Sequence, residues 1–352
     1  MKYLKALKRD QSGIASIIIV ILIILVLTLI ALAMARNANR EQRQALDRQL
    51  SAQANYAAES GVNDTVEYIR THLNDASFSK KKDKCDQNPS LSDLSGGSSE
   101  GRVGSDPGVK YTCVLYDLQP IDIVIDNVSG DNPVIVPIQN AGGSGVKSIT
   151  ITWSNPSEGK DVSGCPGVTG GSLPNSFGSN CNVGILRAEL INSTVLKREE
   201  MIKSDFTAYL YPTNNATPGS TSRTGNVGQD NGVFLNGGCS NGECKATIDG
   251  LGVSGEGQLY LRMSTLYKKK SKVVITGVDN NDQPVMFKNA QMMIDVTGKA
   301  SDVLKRIQVR KAVNPTTNQS GSAVKITGGG GDSFCKLLDV YPGQTSSPDN
   351  CH

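Results

Sequence analysis

Charged side chains are absent from Gly13 to Ala35, a run of 23 residues dominated by Ile, Leu and Val. As a helix rising ~1.5 Å per residue this run reaches about 34 Å, enough to cross a hydrocarbon core of roughly 30 Å. The helical pattern then continues beyond it. Leu46, Leu50, Ala54, Ala57, Ala58, Val62, Val66, Ile69 and Leu73 recur at spacings that keep one face apolar or small. No proline occurs before Pro89, and Gly61 is the only glycine inside the stripe. One glycine costs only about 1 kcal/mol against alanine in a helix. The pattern predicts a single helix over residues 14–73, with residues 14–35 in lipid and residues 36–73 offering a face to a domain.

The pattern changes after the helix. Ser77 to Gly108 reads as a polar linker or long loop, and its Lys80, Lys81, Lys82 and Lys84 as a solvated face. Strand signals follow at Val109–Tyr116, Ile121–Val128, Val134–Gln139 and Lys147–Ser154. In the last of these, strict alternation sends Ile149, Ile151 and Trp153 to one side. Gly184–Val195 and Phe206–Tyr211 are further candidates, then Gln258–Tyr267, Lys272–Thr276, Val285–Phe287, Gln291–Thr297 and Val303–Val309. Residues 155–182 and 212–243 are poor in apolar side chains and read as surface loops, with 155–250 a candidate insertion. Short strands with turn signals and no helical period predict an α+β protein. A long N-terminal transmembrane-plus-amphipathic helix packs on a mostly antiparallel β, loop-rich, disulfide-stapled head over residues 74–352.

Charge sets the orientation. Lys2, Lys5, Lys8 and Arg9 precede the apolar run against Asp10 alone, so the start stays cytoplasmic and the head is exported. Arg36, Arg40 and Arg43 on the far side weaken that bias. The net charge of +3 in 352 residues is too near neutral to argue for nucleic acid by bulk electrostatics.

All 8 cysteines lie beyond the apolar run: Cys85, Cys113, Cys165, Cys181, Cys239, Cys244, Cys335 and Cys351. An even count in an exported head favours disulfides over metal. One pair follows from geometry. Asn241-Gly242 is a preferred type I′ turn, so Cys239 and Cys244 face each other at a non-hydrogen-bonded position of the hairpin. Sequential pairing is the default for the others, 85–113, 165–181 and 335–351.

Catalytic chemistry is hard to find. The sequence has no P-loop and no His-Glu-x-x-His, and its histidines are His72 and His352 alone. Neither an enzyme nor a cofactor is expected. Asp279-Asn280-Asn281-Asp282 is acidic like a calcium loop but lacks the EF-hand glycine and closing glutamate, and reads as a hairpin turn. Lys268, Lys269, Lys270 and Lys272, flanked by Tyr260 and Tyr267, are the best candidates for touching DNA, since lysines neutralise phosphates and tyrosines stack on bases. The simpler alternative is a solvated turn between two strands.

A basic leader ending in Gly13, an apolar span and a long helix feeding a head together resemble a type IV prepilin. The stretch RQLSAQANYAAESGVNDTVEYI, Arg48 to Ile69, is similar to the end of the N-terminal helix of PilX-type minor pilins and K-type pseudopilins. Ala57, Ala58, Glu59, Ser60 and Gly61 match the A-A-E-(A/S)-G part of the Q-x-x-A-A-E-(A/S)-G run of that family, with Gln53 one residue farther ahead than that run has it. A weaker likeness lies in Ala290 to Val313. The resemblance implies a leader, residues 1–13, removed by a prepilin peptidase between Gly13 and Ile14. It also implies other pilin subunits as partners of the helix and the membrane as its place before assembly. The departures are Ile14 as first mature residue, no mid-membrane proline, and Ile18 where major pilins carry a glutamate. That last absence resembles the pseudopilin thought to sit at a filament tip.

Three functions remain open: a minor pilin at the tip or in assembly initiation, a membrane-anchored surface adhesin outside any filament, and a DNA-binding pilus subunit. An uncleaved signal anchor and a secretory signal cut near Ala33-Met34-Ala35 are the other readings of the apolar run.

Overall fold

The computed structural model describes residues 11–97, 101–104, 106–165, 180–192, 205–214, 217–224, 232–252, 259–267 and 270–313, with the single positions 168, 173, 174, 178 and 226. Helix α1, Gln11–His72, runs unbroken for 62 residues, about 93 Å. Arg70 and His72 in its last turn suit the negative end of the helix dipole. The Asp75 amide donates to the His72 carbonyl at 3.0 Å, and Lys80 Nζ to the Leu73 carbonyl at 2.9 Å.

Beyond it come β1 (Lys81–Lys82), the one-turn helix α2 (Leu91–Leu94), β2 (Val109–Asp117), β3 (Asp122–Val128), β4 (Val134–Ile138) and β5 (Ser148–Ser154). They are followed by β6 (Leu186–Asn192), β7 (Phe206–Thr213), β8 (Gly219–Ser222), β9 (Val233–Ser240) and β10 (Glu243–Asp249). The last four are β11 (Leu259–Thr265), β12 (Ser271–Val278), β13 (Gln291–Ala300) and β14 (Val303–Ala312). The chain divides into two compact units, drawn from Met1–Asp117 with Met293–Val309 and from Leu118–Met292 with Arg310–His352.

In the first unit the strands follow the order β1-β2-β13-β14, and the end of α1 packs on them. The segment read as a linker is folded here. Lys82 is only 1% exposed and its Nζ donates to the Pro89 carbonyl at 2.5 Å, so it is no solvated lysine. Ser90 and Asp93 form a capping box on α2, which buries Leu94. A Cys85–Cys113 disulfide ties the segment to β2.

The second unit is a ten-stranded sheet in the order β3-β12-β5-β10-β9-β7-β6-β11-β4, with β8 on β10. Its end strands, β3 and β4, are consecutive in the chain and joined by residues 129–133. The sheet must therefore curl round, and inward side chains from nine of its strands fill one core. Ile149, Ile151 and Trp153 are all fully buried in it, and the Trp153 indole donates to the Gly184 carbonyl at 3.0 Å. Two pairings, β7 with β9 and β8 with β10, are parallel. The residues read as the loop 212–243 contain β8 and β9, and those read as a candidate insertion, 155–250, supply β6 to β10. Val285 to Phe287 are not a strand: of the three only Phe287 makes an isolated bridge, to Asn140. The free edge of β3 is occupied by side chains. The Gln291 amide bonds both the N–H and the C=O of Val124, and Arg310 donates to the Asp122 carbonyl and carboxylate. Such plugs stop an edge from templating another strand.

Candidate functional site

Helix α1 is two surfaces in one element. From Ile17 to Met34 its large apolar side chains are 44–67% exposed. This stretch is long and apolar enough to cross a membrane, and none of its most apolar window is buried. Ile18 lies within it, 58% exposed. Gly13 and Ile14 fall in the first turns of the helix, and the side chains of residues 11–15 lie outside the described residues. Leu46, part of the predicted stripe, stays 53% exposed; burial begins at Leu50.

From there the helix is seated. Ala54, Ala57, Ala58, Val62, Thr65, Val66 and Ile69 are buried, at the three- and four-residue spacing that defines one face. Small side chains let the helix lie close to the sheet. A Cβ on Gly298 of β13 would collide with the Ala54 carbonyl and sit 2.5 Å from the Ala58 amide nitrogen. A Cβ on Gly61 would sit 2.8 Å from both Tyr111 Cγ and Val296 Cγ1. The family-like motif is therefore mostly seat: Ala57, Ala58 and Gly61 face the strands, and Glu59 faces solvent.

Polar groups in the seat are satisfied. The buried Thr65 hydroxyl donates to the Gly61 carbonyl at 2.6 Å. The Tyr111 hydroxyl donates to Asp64 at 3.0 Å. Burial, and then the Asp64 carboxylate, push the Tyr111 phenol far above its ordinary range. At the end of the helix Tyr68 stacks on His72 at 4.2 Å, and Phe78 packs against Tyr68 and Tyr116 at 6.0 and 5.9 Å. Lys80 lies 4.8 Å over the Phe78 ring. Burial, with a smaller contribution from Tyr68, pushes the Tyr116 phenol up to about 12.

Sequence reasoning had the helix side of this seat and the strands around Tyr111 and Val296, but not the residues on which the helix sits. Gly298, Tyr111 and Val296 carried no marker of their own. The one available signal was a glycine interrupting a strand, which often marks close approach of another backbone.

The remaining candidate residues are dispersed. Cys165 bonds Cys181, and Cys239 bonds Cys244 across the β9–β10 hairpin, where the two are register partners. Cys335 and Cys351 lie outside the described residues, as do Lys268 and Lys269. Lys270 is exposed, while Lys272 sits in β12 with its Nζ 4.0 Å from Asp126. The Tyr267 hydroxyl donates to the Pro174 carbonyl at 2.5 Å, so this ring is held by the chain. Asp279 holds a turn. Its Oδ1 accepts from the amides of Asn281 and Gln283 at 2.8 and 2.9 Å, and its Oδ2 from the Ser144 hydroxyl. The Ser144 bond, then the backbone bond from Gln283, lower the Asp279 pKa. Among the described residues no group of three or more His, Cys, Asp or Glu is arranged to hold a metal ion.

The family model described as PilX N-terminal matches residues 12–63. It spans the exposed stretch and the first half of the seat, and the N-terminal segment is thus PilX-type and type IV pilin-like. No curated protein and no solved structure matches the chain.

Proposed function

We propose that the protein is a minor pilin-like subunit that joins a type IV pilus or related filament through α1, at its tip or during initiation. The observation that carries this reading is the uncovered apolar stretch of α1, continuous with a helix end locked onto the head. In the membrane, lipid covers that stretch; in a filament, the helices of other subunits do. The basic residues ahead of the span keep that end cytoplasmic. A prepilin peptidase cuts between Gly13 and Ile14.

Tip or initiation placement rests on Ile18. A subunit stacked above would bring its amine next to an isoleucine, and a charge without a partner is expensive in an apolar bundle. At the end of a filament that cost does not arise.

Mass spectrometry of protein isolated from its native membrane tests processing: a start at Ile14 is expected, and a start at Met1 or Arg36 rejects it. Immunogold labelling tests placement. Label at filament ends is expected. Even label along shafts rejects the tip, and label on cells with none on filaments makes the protein an anchored adhesin. Ile18→Glu is expected to leave filament number unchanged.

A further inference from the structure

The second unit carries a groove that the helix-based reading does not use. A cavity of about 680 Å³ opens beside the β9–β10 hairpin, between the turn, the Lys160 loop and Pro218. A smaller depression of about 360 Å³ shares Ser154 and Glu243 with it and adds Lys272. The larger volume lies in the range of small-ligand sites, roughly 300–1,000 Å³.

Its walls are held in place. Asn241 and Gly242 turn the hairpin with φ of 53° and 78°, and the Cys239–Cys244 disulfide closes it. Gly242 is needed twice: for its positive φ, and because a Cβ there would sit 2.5 Å from Lys160 Cα. That close approach makes one wall of the groove.

The lining has unused bonding capacity. Among the described residues, the side chains of Ser154, Lys160, Ser240, Asn241, Glu243 and Lys245 have no hydrogen-bond or ion-pair partner. Several charged side chains elsewhere on the same unit are paired, among them Lys147 with Asp282 at 2.6 Å, Arg262 with Glu189 at 2.6 Å and Arg310 with Asp122 at 3.1 Å. Here two ammonium groups and one carboxylate converge with two hydroxyls and an amide, and none is spent on its neighbours.

We infer that this groove binds an acidic oligosaccharide. Lys160 and Lys245 outnumber Glu243, which favours an anion on the ligand. Glu243, Asn241 and the serines suit a ligand rich in hydroxyls, with Glu243 accepting from them. A bare inorganic anion would meet the Glu243 carboxylate. No aromatic residue lines the cavity, so the stacking that holds nucleobases is missing, whereas the Pro156 and Pro218 rings offer flat CH surfaces to a sugar face. The adjoining depression with Lys272 gives a second charged unit of a chain a place to lie.

The site lies wholly in the second unit and does not depend on where the subunit sits. Calorimetric titration of the full chain in detergent micelles, with trigalacturonate as acidic probe and maltotriose as neutral control, tests it. Saturable binding of trigalacturonate is expected, with maltotriose at least about tenfold weaker. The double variant Lys160→Glu/Lys245→Glu should weaken trigalacturonate by at least about tenfold. Both lysines are exposed, so unfolding should not change. If it does, the single Lys160→Gln and Lys245→Gln variants replace the double one, each expected to weaken binding. No binding of either sugar, undiminished binding by the variants, equal affinity for maltotriose, or displacement by inorganic sulfate at the same concentration would each overturn the inference.

Discussion

The two stretches of α1 solve opposite problems with the same backbone. From Ile17 to Met34 the side chains are bulky and none of the most apolar window is buried. From Ala54 to Gly61 the inward positions are Ala54, Ala57, Ala58 and Gly61, and all are buried. The first stretch is built to present area, because partition into lipid scales with apolar surface. The second is built to remove distance, because a helix lies on a strand only where neither carries much side chain. Hydrophobicity and burial thus run in opposite directions along one helix, and the less apolar stretch is the one that folds the first unit.

The comparison breaks most visibly where distance matters most. Gly298→Val should unseat the end of α1, because the new side chain meets helix backbone at Ala54 and Ala58, which cannot rotate away. The expected cost is about 3 kcal/mol, the upper part of the overpacking range. Hydrogen exchange over residues 50–72 and 291–300, in the full chain in detergent, should show both segments losing protection together. Gly61→Ala is the control for sign. Its Cβ meets side-chain atoms of Tyr111 and Val296 at 2.8 Å, and the helix gains about 1 kcal/mol of propensity. It should cost clearly less. Equal costs would mean that closeness is not what the glycine in β13 provides.

Tyr111→Phe comes next. It keeps the ring against Gly61 but removes the donor to Asp64. The loss should be about 1.5–3 kcal/mol, as for a hydrogen bond to a charged group, read by the same exchange experiment.

Alkali sharpens the same point without mutation. Tyr116 titrates at about 12 in the folded chain against an ordinary 10.0. An acid whose folded pKa is raised holds its proton more tightly when folded. Its stabilisation is complete below about pH 10 and is lost as pH climbs towards 12. Tyr111 shifts in the same direction. Unfolding of the first unit followed from pH 9 to 12 should fall in that window, and Tyr116→Phe should flatten the slope. A slope unchanged in Tyr116→Phe would reject Tyr116 as a source.

What could be read in advance follows the same division. The helix was legible because its signals are local: an uncharged run, then a stripe at helical spacing. So was β5, since strict alternation puts Ile149, Ile151 and Trp153 on one face, and so was the Asn241-Gly242 turn, whose two positive φ values need those residues. β9 was not. Only its end, Cys239 and Ser240, was marked by the hairpin turn; Asn236-Gly237-Gly238 reads as a loop, yet Gly237 is a glycine because the Trp153 ring lies where its Cβ would be. Lys82 was misread for a similar reason. Nothing near it in sequence announces the Pro89 carbonyl that takes its ammonium. Gly298 needs a partner more than two hundred residues away to make sense. Local pattern finds elements; it does not find the residues whose purpose is to be absent from someone else's space.

The smallest effect is the most exacting test of the contrast. Leu27 is 59% exposed, in the middle of the span. A leucine in the core of a folded domain costs about 2–5 kcal/mol when cut to alanine, because a cavity remains. If the outer stretch of α1 has no partner within the chain, Leu27→Ala leaves no cavity in the molecule. Alanine is also no worse a helix former. Unfolding of the first unit in detergent should then move by less than about 0.5 kcal/mol. Partition of the full chain into vesicles should weaken by less than about 1 kcal/mol, the difference between the two side chains at mid-membrane. A drop of more than about 1 kcal/mol in head stability would mean that Leu27 packs against the protein itself. The two stretches would then differ in degree and not in kind, and the apolar face could no longer be treated as one left open for lipid or for another subunit.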